Sequence, residues 1–170
     1  LLSYNGEVYN FRELRSELEA KGYWFRSQTD SEVVLNALAE WGHNALNKFN
    51  GMFALALWDR RERTLLLARD RYGIKPLYVS QQGNTFAFGS EQKAISAMPD
   101  FVRHMDKPAL LEYFTFQNIF TDRTLLEDIQ LLPAGHYATL DLMHANPTLC
   151  QAQYWDYNFR EPDQKADRQE

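Results

Sequence analysis

Residues 51–58 read Gly51-Met52-Phe53-Ala54-Leu55-Ala56-Leu57-Trp58, and residues 64–68, Thr64-Leu65-Leu66-Leu67-Ala68, take up the same pattern after the charged turn Asp59 to Arg63. A strand with one wet face alternates apolar and polar residues. A run that is apolar on both alternating faces belongs to a strand covered on both sides. The pair therefore predicts a buried hairpin at the centre of a layered fold. Upstream, Leu1 to Tyr9 is strand-like. Asn10 and Glu13 then have capping-box spacing ahead of Phe11, Leu14 and Leu18, which share a helical face that Gly22 ends. Thr29 and Glu32 repeat that spacing before Val33, Val34, Ala37, Leu38 and Trp41, a second helix stopping at Gly42. Downstream, Pro76 to Ser80 and Thr85 to Gly89 flank the turn residues Gln81 to Asn84, and a short helix from Glu91 to Met98 ends before Pro99. Asp106 caps a further helix with Pro108 in its first turn, carrying Leu110, Leu111 and Phe114. His136 to Leu142 and Thr148 to Trp155 complete the strands. Short turns join most strands, which makes the sheets largely antiparallel with helices grouped outside them, an α/β fold of layered type.

The 170 residues are 45% hydrophobic and 24% charged, with a net charge of −5, the arithmetic of one soluble domain. A chain of this size buries roughly 70% of the surface its unfolded form exposes and needs no disulfide or metal staple. One cysteine, Cys150, removes any disulfide framework or cysteine-rich zinc site. No apolar run approaches the ~20 residues of a membrane helix, so a cytoplasmic protein is expected. Arg60, Arg61 and Arg63 are interrupted by Asp59 and Glu62, which reads as a solvated turn rather than a nucleic-acid surface. From Asn158 to Glu170 apolar residues nearly vanish, which predicts a linker after a domain spanning 1–157. The strand-like opening without an initiator methionine suggests a piece of something longer, with the sheet edge at Leu1 to Tyr9 left open.

Generic catalytic patterns are absent: there is no phosphate loop, no dinucleotide fingerprint, no paired-histidine zinc motif and no nucleophile elbow. His43, His104, His136 and His144 are scattered singly and read as ordinary histidines, and Cys150 has no basic neighbour to activate it. The segment that stands out is Tyr4-Asn5-Gly6-Glu7-Val8-Tyr9-Asn10-Phe11, where an Asn-Gly step interrupts a strand ahead of a helix. Local physics offers two readings. Both residues tolerate positive φ, which suits a type I′ hairpin turn. An Asn carboxamide and an adjacent Gly N–H also converge on one point, which is what an oxyanion hole requires.

Four ordered blocks, YNGEVYNFRELRSELEAKGYWFRSQTDSEVVLNALAEWG (4–42), NGMFALALWDRRERTLLLARDRYGIKPLY (50–78), AFGSEQKAI (87–95) and LLPAGHYATLDL (131–142), resemble the glutaminase half of glutamine-hydrolysing asparagine synthetases. The blocks Tyr4 to Phe11 and Arg69 to Tyr78 are those of class II glutamine amidotransferases in general. The resemblance implies a four-layer αββα N-terminal-nucleophile hydrolase sandwich of two mainly antiparallel sheets, here without its N-terminal part. It implies a mechanism in which a cysteine at the start of the mature chain attacks the side-chain amide of glutamine, with its own α-amino group as base, and releases ammonia.

Residue by residue, Asn5 and Gly6 match the oxyanion-hole pair and are the catalytic candidates. Asp30 matches the carboxylate that pairs with the substrate α-ammonium, and Glu7 matches a residue lining the same pocket. Each has an alternative: Asp30 suits a helix first turn on dipole grounds alone, and Glu7 suits an exposed strand position. Arg69, Asp70, Gly73, Lys75 and Pro76 match a signature block that a tight turn explains, and Ser90 ahead of Glu91 reads as a helix cap. The family's nucleophilic cysteine and its carboxylate-binding arginine fall upstream of Leu1, and its ATP-consuming domain falls beyond the linker. Residues 1–170 are therefore expected to be inactive alone. They need no metal or cofactor, while ATP and Mg2+ are implied for the synthetase domain. The implied partners are glutamine, then aspartate and ATP in the intact enzyme, with a homodimer among the assemblies left open. Two further readings stay open: a non-catalytic glutamine-pocket or interaction module, and another class II amidotransferase making phosphoribosylamine, glucosamine 6-phosphate, glutamate or a β-lactam.

Overall fold

A computed structural model describes residues 1–143 and 147–159. In chain order these form β1 (Leu2–Val8), α1 (Phe11–Ala20), α2 (Asp30–Trp41), a 3-10 turn (Gly42–Asn44) and α3 (Ala45–Lys48). There follow β2 (Gly51–Asp59), β3 (Thr64–Arg69), β4 (Tyr78–Gln82), β5 (Thr85–Gly89), α4 (Gln92–Ser96), α5 (Lys107–Phe116), β6 (Ile129–Leu131), β7 (His136–Asp141) and β8 (Leu149–Gln153). One sheet has five strands in the order β1-β2-β3-β7-β8, the other three in the order β5-β4-β6, and every pairing is antiparallel. The charged tail expected as a linker and His144 lie outside the described residues, apart from Asn158 and Phe159.

The unbroken apolar run of β2 follows from its position between two cores. Phe53 and Leu55 point to one side, where they pack with Val8, with Leu14 and Leu18 of α1, with Val33, Val34, Ala37 and Leu38 of α2, and with Leu46 of α3. Ala54 and Ala56 point to the other, against Leu65, Leu67, Ala138 and Leu140 of their own sheet, Val79 of the second, and Leu77 and Leu132, which flank that sheet's strands. At roughly 1.5–3 kcal/mol for each large side chain fully withdrawn from water, the two clusters supply most of the drive to fold. The layers run helix, sheet, sheet, helix. The last is thin: α4 buries Ile95, and α5 buries only Ala109 while Leu111 and Phe114 are 70% and 73% exposed.

The helix starts differ in detail from the capping boxes expected. Asn10 makes no cap; its carboxamide donates to Lys48 O and accepts from Asn50 N–H, tying the start of α1 to the entry of β2. Thr29 makes no side-chain cap either, and Glu32 reaches back beyond it to Arg26 N–H, Ser27 N–H and the Ser27 hydroxyl. Asp106 does cap α5, accepting from Ala109 N–H at 2.9 Å. The turn at Asp59 is as expected, Asp59 Oδ1 accepting from Arg61 and Glu62 N–H.

Candidate functional site

The Asn5-Gly6 step is not a turn. It lies in mid-strand, Asn5 opposite Ala54 and Gly6 opposite Phe53, so the hairpin reading is overturned. Glycine is required there for closeness: a Cβ on Gly6 would fall on the carbonyl oxygen of Met52 and 2.6 Å from Phe53 Cα. The hydrogen bonds at both ends of the β1–β2 pair fix which backbone groups face inward. Leu1 exchanges both bonds with Trp58, and Tyr9 N–H donates to Asn50 O. Pairing alternates along an antiparallel ladder, so odd-numbered residues of β1 address β2 and even-numbered ones point off the strand's other side. Among the described residues β1 is an edge strand. The N–H of Gly6 therefore points off an open edge, and so does that of Val8.

Asp30, the first residue of α2, meets that edge. Its Oδ2 accepts from Val8 N–H at 3.1 Å and from the Tyr4 hydroxyl at 2.9 Å, while Oδ1 takes only the Ser31 hydroxyl at 3.4 Å. One carboxylate oxygen thus clamps α2 to β1 and the other is left nearly unengaged. The Tyr4 phenol is pushed well above its ordinary value, first by burial and then by its bond to Asp30, so it is a fixed donor at any ordinary pH. Gly6 N–H and Val8 N–H are two residues apart, about 7 Å along the strand. The Asp30 carboxylate and the Gly6 donor accordingly share one edge at that spacing.

Asn5 and Glu7 point to the face of β1 opposite Tyr4 and Val8. Asn5 Nδ2 donates to Ser90 Oγ at 3.0 Å, a bond between the two sheets' segments, since Ser90 directly follows β5. Ser90 is therefore not the cap expected: the residue ahead of α4 is Glu91, and no side chain caps that helix. The Glu7 carboxylate is exposed and forms no hydrogen bond or ion pair with the described residues. The structure thus puts the Gly6 N–H and Asp30 at one edge of β1, with the Asn5 and Glu7 side chains on the strand face turned away from Tyr4. Sequence reasoning did not single out Tyr4 or the role of Ser90; strand alternation, which puts Tyr4 on the helix side with Val8, was the available signal for the first.

The remaining signature block is internal scaffolding. Asp70 is 0% exposed and accepts from the N–H groups of Phe53, Tyr72, Ile74 and Lys75. Arg69 donates to the carbonyls of Gly73, Lys75 and Leu132, and burial lowers its pKa. Gly73 has φ +63°, and a Cβ there would sit 2.9 Å from Arg69 Cζ, so the loop needs glycine twice over. Cys150 is exposed on β8, and His43 stacks on Tyr137. Among the described residues no group of histidine, cysteine and carboxylate side chains is placed to hold a metal ion, and no helix is long and apolar enough to cross a membrane.

Comparison with known proteins adds to this geometry. Asparagine synthetase [glutamine-hydrolyzing] 3 of Bacillus subtilis is 45% identical over 111 residues, 65% of this chain and 18% of that protein. Asparagine synthetase [glutamine-hydrolyzing] 1 of the same organism is 38% identical over 137 residues, covering 81% and 22%. The chain thus spans about a fifth of the length of these curated relatives. Among solved structures, the glutamine phosphoribosylpyrophosphate amidotransferase of B. subtilis superposes with a TM-score of 0.59 at 16% identity, over 91% of this chain and 29% of that one, a likeness of fold alone. The family profile described as "Glutamine amidotransferase domain" matches residues 1–155, which takes in every strand and helix described above. The chain, with its two-sheet sandwich and its Asn-Gly edge strand, belongs to the glutamine amidotransferase domain family.

Proposed function

We propose that this chain is the glutaminase unit of a cytoplasmic glutamine-dependent asparagine synthetase, delivering ammonia for ATP-dependent amidation of aspartate. The observation that supports the reading is the placement of the Gly6 N–H and the Asp30 carboxylate along the same side of β1, at a spacing suited to the two ends of a glutamine molecule. Asp30 Oδ1, the less engaged oxygen, pairs with the α-ammonium. The side-chain carbonyl then lies against Gly6 N–H and the second N–H of Asn5 Nδ2. A thiol gives its proton to a base and attacks that carbonyl carbon, and the C=O electron pair moves onto oxygen, where the two donors hold the charge. As that pair returns, the C–N bond breaks, the proton held by the base passes to the departing nitrogen, ammonia leaves, and a thioester remains for water to hydrolyse to glutamate. Cys150 does not supply the thiolate, being exposed on β8 and far in the sheet order from β1. The nucleophile is assigned to a part of the protein outside residues 1–170, and the same holds for the residues that bind ATP, Mg2+ and aspartate. Glu7 lines the pocket without touching the reacting atoms. Similarity to asparagine synthetases at up to 45% identity favours aspartate as acceptor over those of other amidotransferases.

The test is Asn5→Ala in the natural full-length protein. Glutamine-dependent asparagine synthesis is expected to fall by about 10²- to 10³-fold, the cost of one lost oxyanion donor. Ammonia-dependent synthesis is expected to hold. Equal losses with both nitrogen donors would remove Asn5 from the oxyanion site.

A further inference from the structure

We infer that Ser90 is a positioning residue that aims the Asn5 carboxamide at the substrate carbonyl, an inference that rests on the amidotransferase reading of Asn5. A carboxamide rotates in a broad, roughly two-fold well about its last torsion, so an unrestrained Asn5 would present Oδ1 as readily as Nδ2. An oxygen turned towards a developing oxyanion repels it; only the N–H face catalyses. In the structure Asn5 Nδ2 donates to Ser90 Oγ at 3.0 Å, across 85 residues of chain. The amide group is planar, so committing one of its two N–H bonds to Ser90 sets the direction of the other.

Both ends of this bond are anchored on regular structure. Asn5 is paired with Ala54 in mid-strand. Ser90 follows Gly89, the residue of β5 paired with Tyr78, and precedes α4, whose Ile95 is 1% exposed. Neither side can drift without disturbing a ladder or a core, which is the support a catalytic donor needs from the residue behind it. The local alternative, that Ser90 caps α4, does not describe the structure, because α4 has no side-chain cap. Among the described residues Ser90 makes no other side-chain hydrogen bond, and in the structure its oxygen accepts from Asn5 Nδ2.

The experiment is a double-mutant cycle in the natural full-length protein, reading steady-state glutamine hydrolysis together with ammonia-dependent synthesis. Ser90→Ala is expected to lower kcat for glutamine about 10- to 100-fold, the scale of a donor displaced rather than removed. KM is expected to stay within about 3-fold, and ammonia-dependent turnover to hold. Ser90→Thr, which keeps the hydroxyl, is expected to recover most of the loss. In an Asn5→Ala background the same Ser90→Ala change is expected to cost less than about 2-fold, since there is no carboxamide left to aim. A loss of equal size in both backgrounds, a Thr variant no better than Ala, or a parallel fall in ammonia-dependent turnover overturns the positioning role even where Ser90→Ala impairs folding. If the wild-type protein releases no glutamate from glutamine, the glutaminase reading itself falls and the role of Ser90 with it.

Discussion

Replacing Asp70 by asparagine exchanges one oxygen for an NH2 group at almost constant volume, and the structure says what that exchange costs. Asp70 Oδ2 accepts from Phe53 N–H at 3.2 Å and Lys75 N–H at 2.9 Å, and Oδ1 from Tyr72 N–H at 3.1 Å and Ile74 N–H at 3.0 Å. Whichever way the new amide turns, two backbone donors face a third donor. Hydrogen bonds to a charged acceptor contribute about 1.5–3 kcal/mol each, so the gross loss is about 3–6 kcal/mol. The bond from Phe53 is buried whereas those from Tyr72 and Ile74 are only partly so, so the amide oxygen stays on Phe53 and Lys75 and water partly serves the other pair. The net expectation is about 3 kcal/mol, or a Tm lower by about 6–12 °C for a domain of this size. Urea unfolding followed by tryptophan fluorescence, with thermal unfolding by circular dichroism, measures both quantities. A loss under about 1 kcal/mol with an unchanged m-value would refute the claim that this carboxylate holds the 70–75 loop to β2.

Two other perturbations test the site's framework. Gly6→Ala forces a methyl onto the Met52 carbonyl and Phe53 Cα, both backbone atoms, and is expected to destabilise the fold by about 1–3 kcal/mol or more by the same unfolding assay. Glu32 has its pKa lowered from the ordinary 4.5, chiefly by Arg26 N–H and then by the Ser27 hydroxyl and N–H. A depressed folded value stabilises the fold above the unfolded pKa and loses that contribution as pH falls through the folded one. The stability gap between wild type and Glu32→Gln should therefore be level near neutral pH and shrink as pH falls below 4.5, and a gap that widens on acidification would reverse the assignment.

Elements whose identity depends on burial were legible in the sequence, because β2 from Met52 to Trp58 and β3 from Leu65 to Ala68 are unbroken apolar runs for the plain reason that each faces two cores. α1 and α2 were legible from their apolar faces. What was not legible had partners far along the chain. The Asn5-Gly6 step satisfies the local rules for a turn, and only the approach of Met52 and Phe53 shows why glycine stands in a strand. Asn10 and Ser90 have the composition of caps, yet their hydrogen bonds go to residues 38 to 85 positions away. β6 has three residues, of which Ile129 alone is buried, too short for any alternation to register, and α3 is a single turn. Asn5 and Gly6 were legible as one of two local readings, whereas Asp30 and Glu7 came from resemblance alone; local physics also suited Asp30 to a helix first turn, and in the structure it does bind the strand beside that turn.

The alternation of β1 has a consequence for how such a domain can change over generations. Gly6 N–H points outward because its position is even relative to the Leu1–Trp58 and Tyr9–Asn50 pairs. Substituting a side chain leaves that parity alone, but inserting or deleting one residue in the strand reverses it, turning the donor into the ladder and Asn5 towards the helices at a stroke. Mutational drift in this strand should therefore be permissive of replacement at an exposed position outside the site, such as Ser3, and closed to changes of length. Two-residue insertions, which restore parity, would be better tolerated than single ones.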